Sequence, residues 1–441
     1  MTPAARLAAA IDLLGAVEAA ARKPADAVAN DFFRSRRYIG AGDRRAVSER
    51  VWGVLRRRLR LGWWLELVGH APTARLLAAA DLLLADGQDL PAVRNAFSGG
   101  QYAPALLDGP EERALRDLAA RRRGGGALEH PGMPEGIRSE IPDWALPGFR
   151  TRFGSRLAEE AAAMTGPAPL DLRANLLKTT RDEAALALAA EGIGTEPTPL
   201  SPWGLRVPER RPVTATKAFT DGLVEVQDEG SQLIALLTGA RPGMRVADHC
   251  AGAGGKTLAL AATMANRGRL TACDVSVPRL EGALKRLRRA GVDNAERHLL
   301  EPGDRWAKRR AGTFDRVLVD APCTGTGTWR RNPDARTRTG PNDLRELLAK
   351  QAAVLDAAAG LVRPGGGRLV YATCSVLPEE DEEQVRAFLE RHPAFVPLPL
   401  ATAWAEAGLL PPPPGDGEFL QTSPARHGTD GFFAAILQRG Q

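Results

Sequence analysis

The chain has 441 residues, of which 44% are hydrophobic and 25% are charged, a composition typical of a globular protein with two or three domains. Its four cysteines include no C-x-x-C pair, which argues against a disulfide framework or a zinc site and favours reduced thiols in the cytoplasm. Asp12 and Glu18 interrupt the alanine-rich start, and no apolar run approaches the roughly 20 residues that span a bilayer. We therefore expect no signal peptide, no membrane partner and no metal.

Residues 1–125 are predicted to form a helical domain, in which apolar residues recur every four positions from Val47 to Leu59. Ten arginines between positions 34 and 60 are opposed by only two acidic residues, so this window carries a charge of +8, against +6 for the whole chain. Because arginine forks match phosphate oxygens, the window predicts a phosphate-contacting surface; the alternative is a solvated helix face.

The middle of the chain is predicted to contain a linker and a small module. Residues 126–144 follow the run RRRGGG and are rich in proline, which is typical of a linker. Residues 145–238 predict a small α+β module with a strand at 170–177, a helix at 181–191 and short strands near Trp203 and Val224.

Residues 239–441 are predicted to form an α/β domain. Strand patterns alternate with helical ones, and the strands are predicted at 244–248, 269–274, 314–320, 368–373 and 432–438. This alternation predicts a doubly wound, mostly parallel sheet with helices on both faces.

A glycine-rich turn follows the first of these strands, in the sequence RVADHCAGAGGKT at 245–257. A phosphate-binding loop would need glycine where Cys250 stands, and a dinucleotide fingerprint that begins at Gly252 would end on Thr257 instead of glycine. An adenosyl cofactor remains as the ligand of this turn. Asp274 ends the next strand, where a carboxylate can accept hydrogen bonds from both ribose hydroxyls.

Two cysteines each follow a β-like run, in FDRVLVDAPC and GRLVYATC. Ligands of an open α/β sheet bind at the carboxyl ends of its strands, so Cys323 and Cys374 are expected at the active edge. Two thiols there indicate covalent catalysis, whereas the alternative is that both are small buried hydrophobic residues.

Together these motifs resemble the RsmB-type bacterial RNA cytosine-5 methyltransferase family. The resemblance rests on five stretches: VQDEGSQ, CAGAGGKT, DAPCTGTG, YATCSVLPEEDEEQV and HGTDGFF. It implies a class I, Rossmann-like methyltransferase domain, preceded by an all-α NusB-like RNA-binding domain and the small α+β module. It also implies S-adenosylmethionine as the cofactor and RNA, above all small-subunit ribosomal RNA, as the partner. The sequence leaves the oligomeric state open, and we expect a monomer.

The resemblance also implies a role for each catalytic residue. The thiolate of Cys374 would add to ring carbon 6 of cytosine, which makes carbon 5 nucleophilic toward the methyl group. Cys323 would assist release of the product, and Asp320 would hold the amine edge of the base.

The resemblance places the cofactor against one loop and three acidic residues. The contacts would come from Cys250, Ala251, Gly252, Ala253, Gly254, Gly255, Lys256, Asp274 and Asp320. Glu301 would approach the adenine where the family usually has Asp, with Asp304 as a near alternative. Gly252 and Ala253 depart from the commoner CAAPGGK form of the loop, and Thr324 stands where serine is commoner.

Four arginines after the first cysteine predict contacts to RNA phosphates beside the target base: Arg330, Arg331, Arg336 and Arg338. In the small module, Arg173, Asn175 and Lys178 are predicted to face RNA as well. Three alternatives stay open: a DNA cytosine-5 methyltransferase, for which the companion E-N-V tripeptide is missing, the same chemistry on transfer RNA, and a non-catalytic RNA-binding ribosome assembly factor.

Overall fold

The computed structural model describes residues 1–20, 22–122, 128–209, 211–301, 303–415 and 417–441. The chain divides into two compact units: Met1–Pro167 with Trp329–Gly340, and Ala168–Thr328 with Pro341–Gln441. Residues 126 and 127 of the predicted linker lie outside the described residues, and the first unit continues through the rest of that stretch. The four-part division of the chain stays a prediction.

The first unit consists of helices. They are α1 (Pro3–Ala19), α2 (Ala25–Ser35), α3 (Ala41–Arg56), α4 (Arg58–Leu67), α5 (Ala74–Leu84), α6 (Leu90–Ala96), α7 (Gly109–Arg121), α8 (Glu135–Arg138), α9 (Leu146–Phe153) and α10 (Leu157–Thr165). The side chain of Thr73 caps α5 by accepting a hydrogen bond from the backbone N–H of Leu76. Every residue from 76 to 84 is buried, so α5 supplies much of the core of this unit.

A small antiparallel sheet begins the second unit. Its strands are β1 (Leu170–Ala174), β2 (Glu196–Pro197), β3 (Gly204–Val207) and β4 (Val224–Val226), in the order β2-β3-β1-β4. Helices α11 (Arg181–Ala190) and α12 (Lys217–Thr220) add Leu188 and Ala218 to its core. β1 is shorter than the predicted strand because the side chain of Asn175 accepts a hydrogen bond from the N–H of Leu177 and turns the chain.

The large sheet has eight strands. They are β5 (Arg245–Asp248), β6 (Arg269–Asp274), β7 (Ala295–Leu299), β8 (Arg316–Asp320), β9 (Arg368–Thr373), β10 (Phe395–Pro397), β11 (Leu420–Thr422) and β12 (Phe432–Arg439). The order is β10-β12-β9-β8-β5-β6-β7, with β11 paired to β12. Strands β5 to β9 pair in parallel, whereas β12 is antiparallel to β9, β10 and β11. The predicted doubly wound, mostly parallel sheet is confirmed.

Helices cover both faces of this sheet. The remaining helices of the chain are α13 (Glu229–Leu237), α14 (Gly255–Thr263), α15 (Val277–Ala290), α16 (Trp306–Arg309), α17 (Ala335–Arg338), α18 (Pro341–Ala359), α19 (Glu382–Arg391), α20 (Leu400–Glu406) and α21 (Pro424–His427), of which α17 belongs to the first unit. Leu318 packs in one core cluster with α13 and α14, while its neighbour Val319 packs in another with α18 and α19. This alternation is what a strand buried on both sides requires.

Within the ranges that the structure describes, none of the helices has the length and apolar character needed to cross a membrane.

Candidate active site

The site lies where the strand order reverses. β5 has β8 on one side and β6 on the other, which is the switch point at which open α/β sheets bind ligands. β5 ends in Asp248, which is fully buried and accepts a hydrogen bond from the hydroxyl of Thr257 at 2.7 Å. Burial disfavours the charged carboxylate and raises the pKa of Asp248 to about 7. The hydrogen bond ties the strand to the helix that follows the turn.

The turn after β5 depends on glycine. Gly252 and Gly254 have φ angles of 54° and 81°, a left-handed backbone conformation that other residues rarely adopt. A Cβ atom at Gly252 would meet no heavy atom of the described residues within 4 Å, so the backbone faces open space there. At Gly254 the same atom would come within 3.1 Å of the Cβ of Ala283 on α15. The turn can therefore bring its backbone close to a ligand.

Asp274 at the end of β6 fixes this turn. Its carboxylate accepts hydrogen bonds from the backbone N–H of Gly252 and of Ser276, both at 2.8 Å. A carboxylate has about four acceptor positions, so each oxygen can accept a further hydrogen bond from a ligand hydroxyl. Asp274 thus stands beside the turn as predicted for a ribose contact, although it does not line the pocket described below.

An ion pair connects the turn to the neighbouring strand. Lys256, in the first turn of α14, places its Nζ 2.7 Å from Oδ2 of Asp320 at the end of β8. Burial disfavours the charged ammonium, but the charge and the hydrogen bond of Asp320, together with the charges of Cys374 and Asp248, outweigh burial and raise the pKa of Lys256. The ammonium therefore stays charged and holds Asp320 at the edge of the sheet.

The two predicted cysteines meet. Sγ of Cys323 lies 3.4 Å from Sγ of Cys374, since β8 and β9 are parallel neighbours and each delivers its cysteine just past its carboxyl end. The hydrogen bond to Cys374, burial, the charge of Cys374 and the nearby negative charge of Glu380 all raise the pKa of Cys323. This thiol is therefore neutral near pH 7.

A pocket of about 360 Å³ contains most of the predicted site. Its lining comes from Gln227, Ser231, Cys250, Ala251, Gly252, Ala253, Gly255, Lys256, Arg279, Asp320, Ala321, Pro322, Cys323 and Cys374. The structure thus brings together all three predicted catalytic residues and six of the seven predicted loop residues. Gly254 lies in the turn without lining the pocket.

Among the predicted site residues, the structure supports the adenine contact least. Glu301 follows β7, is exposed and does not line the pocket. The carboxylate of Asp304 is already hydrogen-bonded to the ring of His298 and to the backbone N–H of Trp306, and these two rings stack with centroids 4.7 Å apart. A contact from either acid to adenine stays a prediction.

Sequence reasoning assigned no role to five residues of the pocket wall: Gln227, Ser231, Arg279, Ala321 and Pro322. Gln227 donates a hydrogen bond to the hydroxyl of Ser231 at 3.1 Å and accepts one from Arg173. Arg173 also donates to the carbonyl of Gly255 at 3.0 Å, where α14 begins. The signal for Gln227 and Ser231 was the VQDEGSQ stretch, which carries part of the family resemblance but predicted no role for either residue.

Two of the predicted RNA contacts in the small module are wrong. Arg173 is only 2% exposed, and burial lowers the pKa of its guanidinium to about 10. Asn175 is buried as well and donates from its amide to the carbonyls of Gly222 and Ala290, both at 2.8 Å. Both side chains stabilise the protein around the site and do not face a ligand surface.

The predicted phosphate clamp after Cys323 is also wrong in part. Arg330 and Arg336 are 4% and 2% exposed. Arg336 donates to the carbonyls of Arg56 and Met164 within the first unit. Arg338 forms an ion pair with Asp334 at 3.2 Å. Arginines of this segment therefore stabilise the helical unit. The clustering of basic residues in the sequence could not indicate that role.

The arginine window of the first unit is less positive than its sequence suggests. Arg50 and Arg57 both pair with Asp81, a fully buried acid of α5. Further pairs join Arg58 to Glu18 and Arg60 to Glu140, at 3.1 and 3.0 Å. Acids distant in sequence thus compensate much of the window, and its exposed arginines are Arg34, Arg37 and Arg45.

The fold, the glycine turn and the acidic residue after β6 define an S-adenosylmethionine-dependent methyltransferase. Residues 235–438 match the sequence profile of the 16S rRNA methyltransferase RsmB/F family, and residues 141–214 match the ferredoxin-like domain of RsmF/B-like methyltransferases. The chain belongs to the RsmB/F family of 16S rRNA methyltransferases. The predicted resemblance and the predicted cofactor are confirmed.

Similar proteins cover nearly the whole chain. It is 32% identical to a probable ribosomal RNA small subunit methyltransferase B of Synechocystis sp., over 90% of this chain and 91% of that protein. The ribosomal RNA small subunit methyltransferase B of Xanthomonas campestris is 31% identical over 90% and 89%. The crystal structure of PH0851 superposes with a TM-score of 0.77 at 25% identity and covers 100% and 99% of the two chains. A methyltransferase homolog protein from Pyrococcus horikoshii gives 0.59 at 28% identity, over 70% and 100%.

Proposed function

We propose that this protein methylates ring carbon 5 of a cytosine in small-subunit ribosomal RNA through a covalent cysteine–cytosine adduct. The observation that carries the proposal is the pair of thiols 3.4 Å apart at the ends of β8 and β9, beside the Lys256–Asp320 ion pair. The names of the relatives from Synechocystis and Xanthomonas support the choice of ribosomal RNA.

The chemistry explains why one thiol is not enough. Carbon 5 of cytosine is too weak a nucleophile to accept a methyl group directly, and a thiolate that adds to carbon 6 makes it nucleophilic. After methyl transfer, the proton on carbon 5 must leave and the bond between sulfur and carbon 6 must break. A second group is needed for this elimination, and the pocket offers a second thiol within contact of the first.

The surroundings of the two thiols support a division of labour. We assign the addition to Cys374 and the elimination to Cys323, whose raised pKa keeps it a neutral thiol in the free enzyme. For the elimination this thiol would first release its proton to solvent. Its thiolate would then take the proton from carbon 5 while the bond between carbon 6 and the sulfur of Cys374 breaks, which returns Cys374 as a thiolate. A neutral thiol next to the nucleophile adds no second negative charge to the site. The family resemblance implies the same assignment.

Asp320 is placed to hold the base. Its carboxylate accepts a hydrogen bond from Lys256 through one oxygen, which leaves acceptor capacity for the exocyclic amine of cytosine. The same ion pair fixes the first turn of α14 to the end of β8. The base and the glycine turn are thus held in one frame by two charged side chains.

The residues of the turn fit the cofactor. S-adenosylmethionine would supply an electrophilic methyl group on a sulfonium. The open backbone at Gly252 and the remaining acceptor positions of Asp274 suit an adenosyl group, while residues 250–256 would surround it. The target base must leave its stack to reach the thiols, as in other base-modifying enzymes.

Bisulfite sequencing of total RNA tests the proposal. Cells of the source organism with and without the gene would be compared, and the deletion strain would be complemented with the wild-type gene or with Cys374→Ala. We expect one or more small-subunit ribosomal RNA cytosines to lose protection in the deletion strain and to regain it only with the wild-type gene. Loss of protection in transfer RNA instead would support the alternative substrate, and unchanged RNA would refute the proposed function.

A further inference from the structure

Glu380 lies in the chain between β9 and α19 and is completely buried. Its carboxylate accepts hydrogen bonds from both the backbone N–H of Thr324, at 2.9 Å, and the hydroxyl of Thr324. It also accepts one from the side-chain amide of Gln351, on α18, at 3.0 Å. Every one of these donors is neutral.

A buried carboxylate is normally paired with a cation, because its burial costs several kcal/mol. In the part of the chain that the structure describes, Glu380 forms no ion pair, whereas Asp320, three residues before Cys323, is paired with Lys256. The protein thus keeps an uncompensated negative charge beside the turn that carries Cys323. A well-packed neutral residue at this position would destabilise the folded protein less. We therefore looked for a function of the charge.

The contacts of Glu380 hold the chain on both sides of Cys323. Thr324 follows the cysteine directly and is bound twice by the carboxylate. Gln351 uses the same amide nitrogen to donate to the carbonyl of Pro322, the residue before the cysteine, at 2.9 Å. Glu380 is itself fixed by the hydroxyl of Tyr371, which donates to its backbone carbonyl at 2.6 Å. The thiol of Cys323 is therefore placed by Glu380.

We propose that Glu380 is a positioning residue for Cys323: its carboxylate fixes the turn that carries the thiol, and its unpaired negative charge keeps that thiol neutral. The inference rests on the proposed division of labour between the two cysteines. With Cys323 neutral, addition to the base is left to Cys374.

The other groups around the thiols make the charge of Glu380 distinctive. The titratable and charged groups around the thiol of Cys323 are Cys250, Lys256, Arg279, Asp320, Tyr371, Cys374 and Glu380. The cation of Lys256 is neutralised by Asp320, so it does not offset Glu380. The negative charge of Glu380 is one of the causes that raise the pKa of Cys323, after the hydrogen bond to Cys374, burial and the charge of Cys374 itself.

The test measures how fast Cys323 is alkylated as a function of pH. Iodoacetamide labels the thiolate, and mass spectrometry of the peptide that contains Cys323 separates it from the other cysteines. Cys374→Ala is used as the background, so that one pocket thiol is followed. Glu380→Gln, Glu380→Asp and the control Glu383→Gln are compared in it. Glu383 is exposed and three positions away, and its substitution removes the same charge.

We expect Glu380→Gln to move the midpoint of alkylation to lower pH. Below the midpoint the alkylation rate should rise about threefold or more, because the thiolate fraction grows tenfold for each unit by which the pKa falls. Glu380→Asp keeps the charge, and Glu383→Gln leaves the pocket untouched. Neither of these two substitutions should shift the midpoint.

Two results would overturn the proposal. One is an unchanged midpoint in Glu380→Gln, including the case in which only the plateau rate rises, since a higher plateau reports greater exposure of the thiol. The other is an equal shift in Glu380→Asp, which would mean that the charge is not the cause.

The Glu380→Gln protein is expected to fold. Oε1 of the new glutamine can accept the hydrogen bonds from the backbone N–H of Thr324 and from the amide of Gln351, and its amide nitrogen can donate to the hydroxyl of Thr324, so the turn keeps its contacts. Binding of S-adenosylmethionine by the variant checks that the site is intact. Because alkylation needs neither RNA nor methyl transfer, its outcome is separate from that of the bisulfite experiment. The failure of one proposal can thus be told from the failure of the other.

Discussion

The ammonium of Lys256 lies 2.7 Å from the carboxylate of Asp320, and this contact joins the first turn of α14 to the end of β8. The lysine belongs to the glycine-rich stretch, whereas the aspartate stands three residues before Cys323. A single ion pair thus links the turn assigned to the methyl donor with the strand end assigned to the base. Lys256 is 8% exposed, so solvent screens the pair only weakly.

Removal of the ammonium should slow methyl transfer. We expect Lys256→Met to reduce the rate about 10- to 100-fold, since a hydrogen bond to a charged group contributes roughly 1.5–3 kcal/mol and Asp320 loses its orientation with it. The rate would be measured with radiolabelled cofactor and a small-subunit ribosomal RNA transcript. The matched control is Lys350→Met. Lys350 is exposed on α18, and its ion pair with Glu346 is long, at 3.7 Å. Equal rates for the two variants would contradict the role of the ion pair.

Asp274 should contribute to cofactor affinity. We expect Asp274→Ala to weaken the binding of S-adenosylmethionine by about 1–3 kcal/mol, as the removal of hydrogen bonds to a charged group does. The turn at Gly252 would lose its acceptor as well. Calorimetry on the folded variant measures the effect, with the exposed Asp293→Ala as the control. Unchanged affinity in the Asp274 variant would remove this residue from the site.

The strands that sequence patterns predicted are the buried ones. β6 and β9 agree with the predicted bounds, because each is an apolar run between turn residues and is covered on both faces. β7 was missed, since it is the edge strand and its sequence, AERHL, is polar and partly exposed. β10 and β11 are only three residues long, too short for a periodic pattern to stand out.

The site was predictable where chemistry is local in sequence. Cys323, Cys374 and the glycine turn stand in short motifs, and the parallel sheet brings those motifs to one edge. The arginines were misjudged because their partners are distant: Asp81 is 24 positions from Arg57, and the partners of Arg336 lie far away in the chain. The net charge of a short stretch of sequence does not show whether its arginines pair with acids or carbonyls elsewhere in the chain.

The exposed arginines should carry RNA affinity. We expect the triple substitution of Arg34, Arg37 and Arg45 by alanine to weaken RNA binding and to flatten its salt dependence. The slope against log salt should fall by roughly 0.7–0.9 for each phosphate that an arginine no longer neutralises. Filter binding over a range of salt concentrations measures this slope. If the slope stays the same, these arginines belong to a solvent-exposed face that does not contact RNA.

Arg57→Ala gives a contrasting control in the same window. It leaves the buried carboxylate of Asp81 with one partner fewer, so it should lower the free energy of unfolding and not the salt slope. Urea denaturation and filter binding on the same preparation separate the two effects. A lower salt slope with unchanged stability would place Arg57 on the RNA surface after all.

Replacing each of the two pocket cysteines by alanine should have a different effect on the reaction. Cys374→Ala cannot form the bond to carbon 6, so we expect it to be inactive and free of RNA. Cys323→Ala should still add to the base and transfer the methyl group, but elimination should stall. With cofactor present it should therefore trap RNA as a covalent complex that survives a denaturing gel.

The gel separates this assignment from its reverse. The buried Cys273→Ala serves as the control, because Cys273 lies on β6 and outside the pocket, and it should neither trap RNA nor lose activity. Since the sulfurs are only 3.4 Å apart, either thiol is near enough to reach carbon 6 of a base bound between them. A trapped complex with Cys374→Ala and none with Cys323→Ala would exchange the two roles, as in the DNA cytosine-5 mechanism. It would also make Glu380 a neighbour of the nucleophile, where a negative charge would oppose formation of the thiolate.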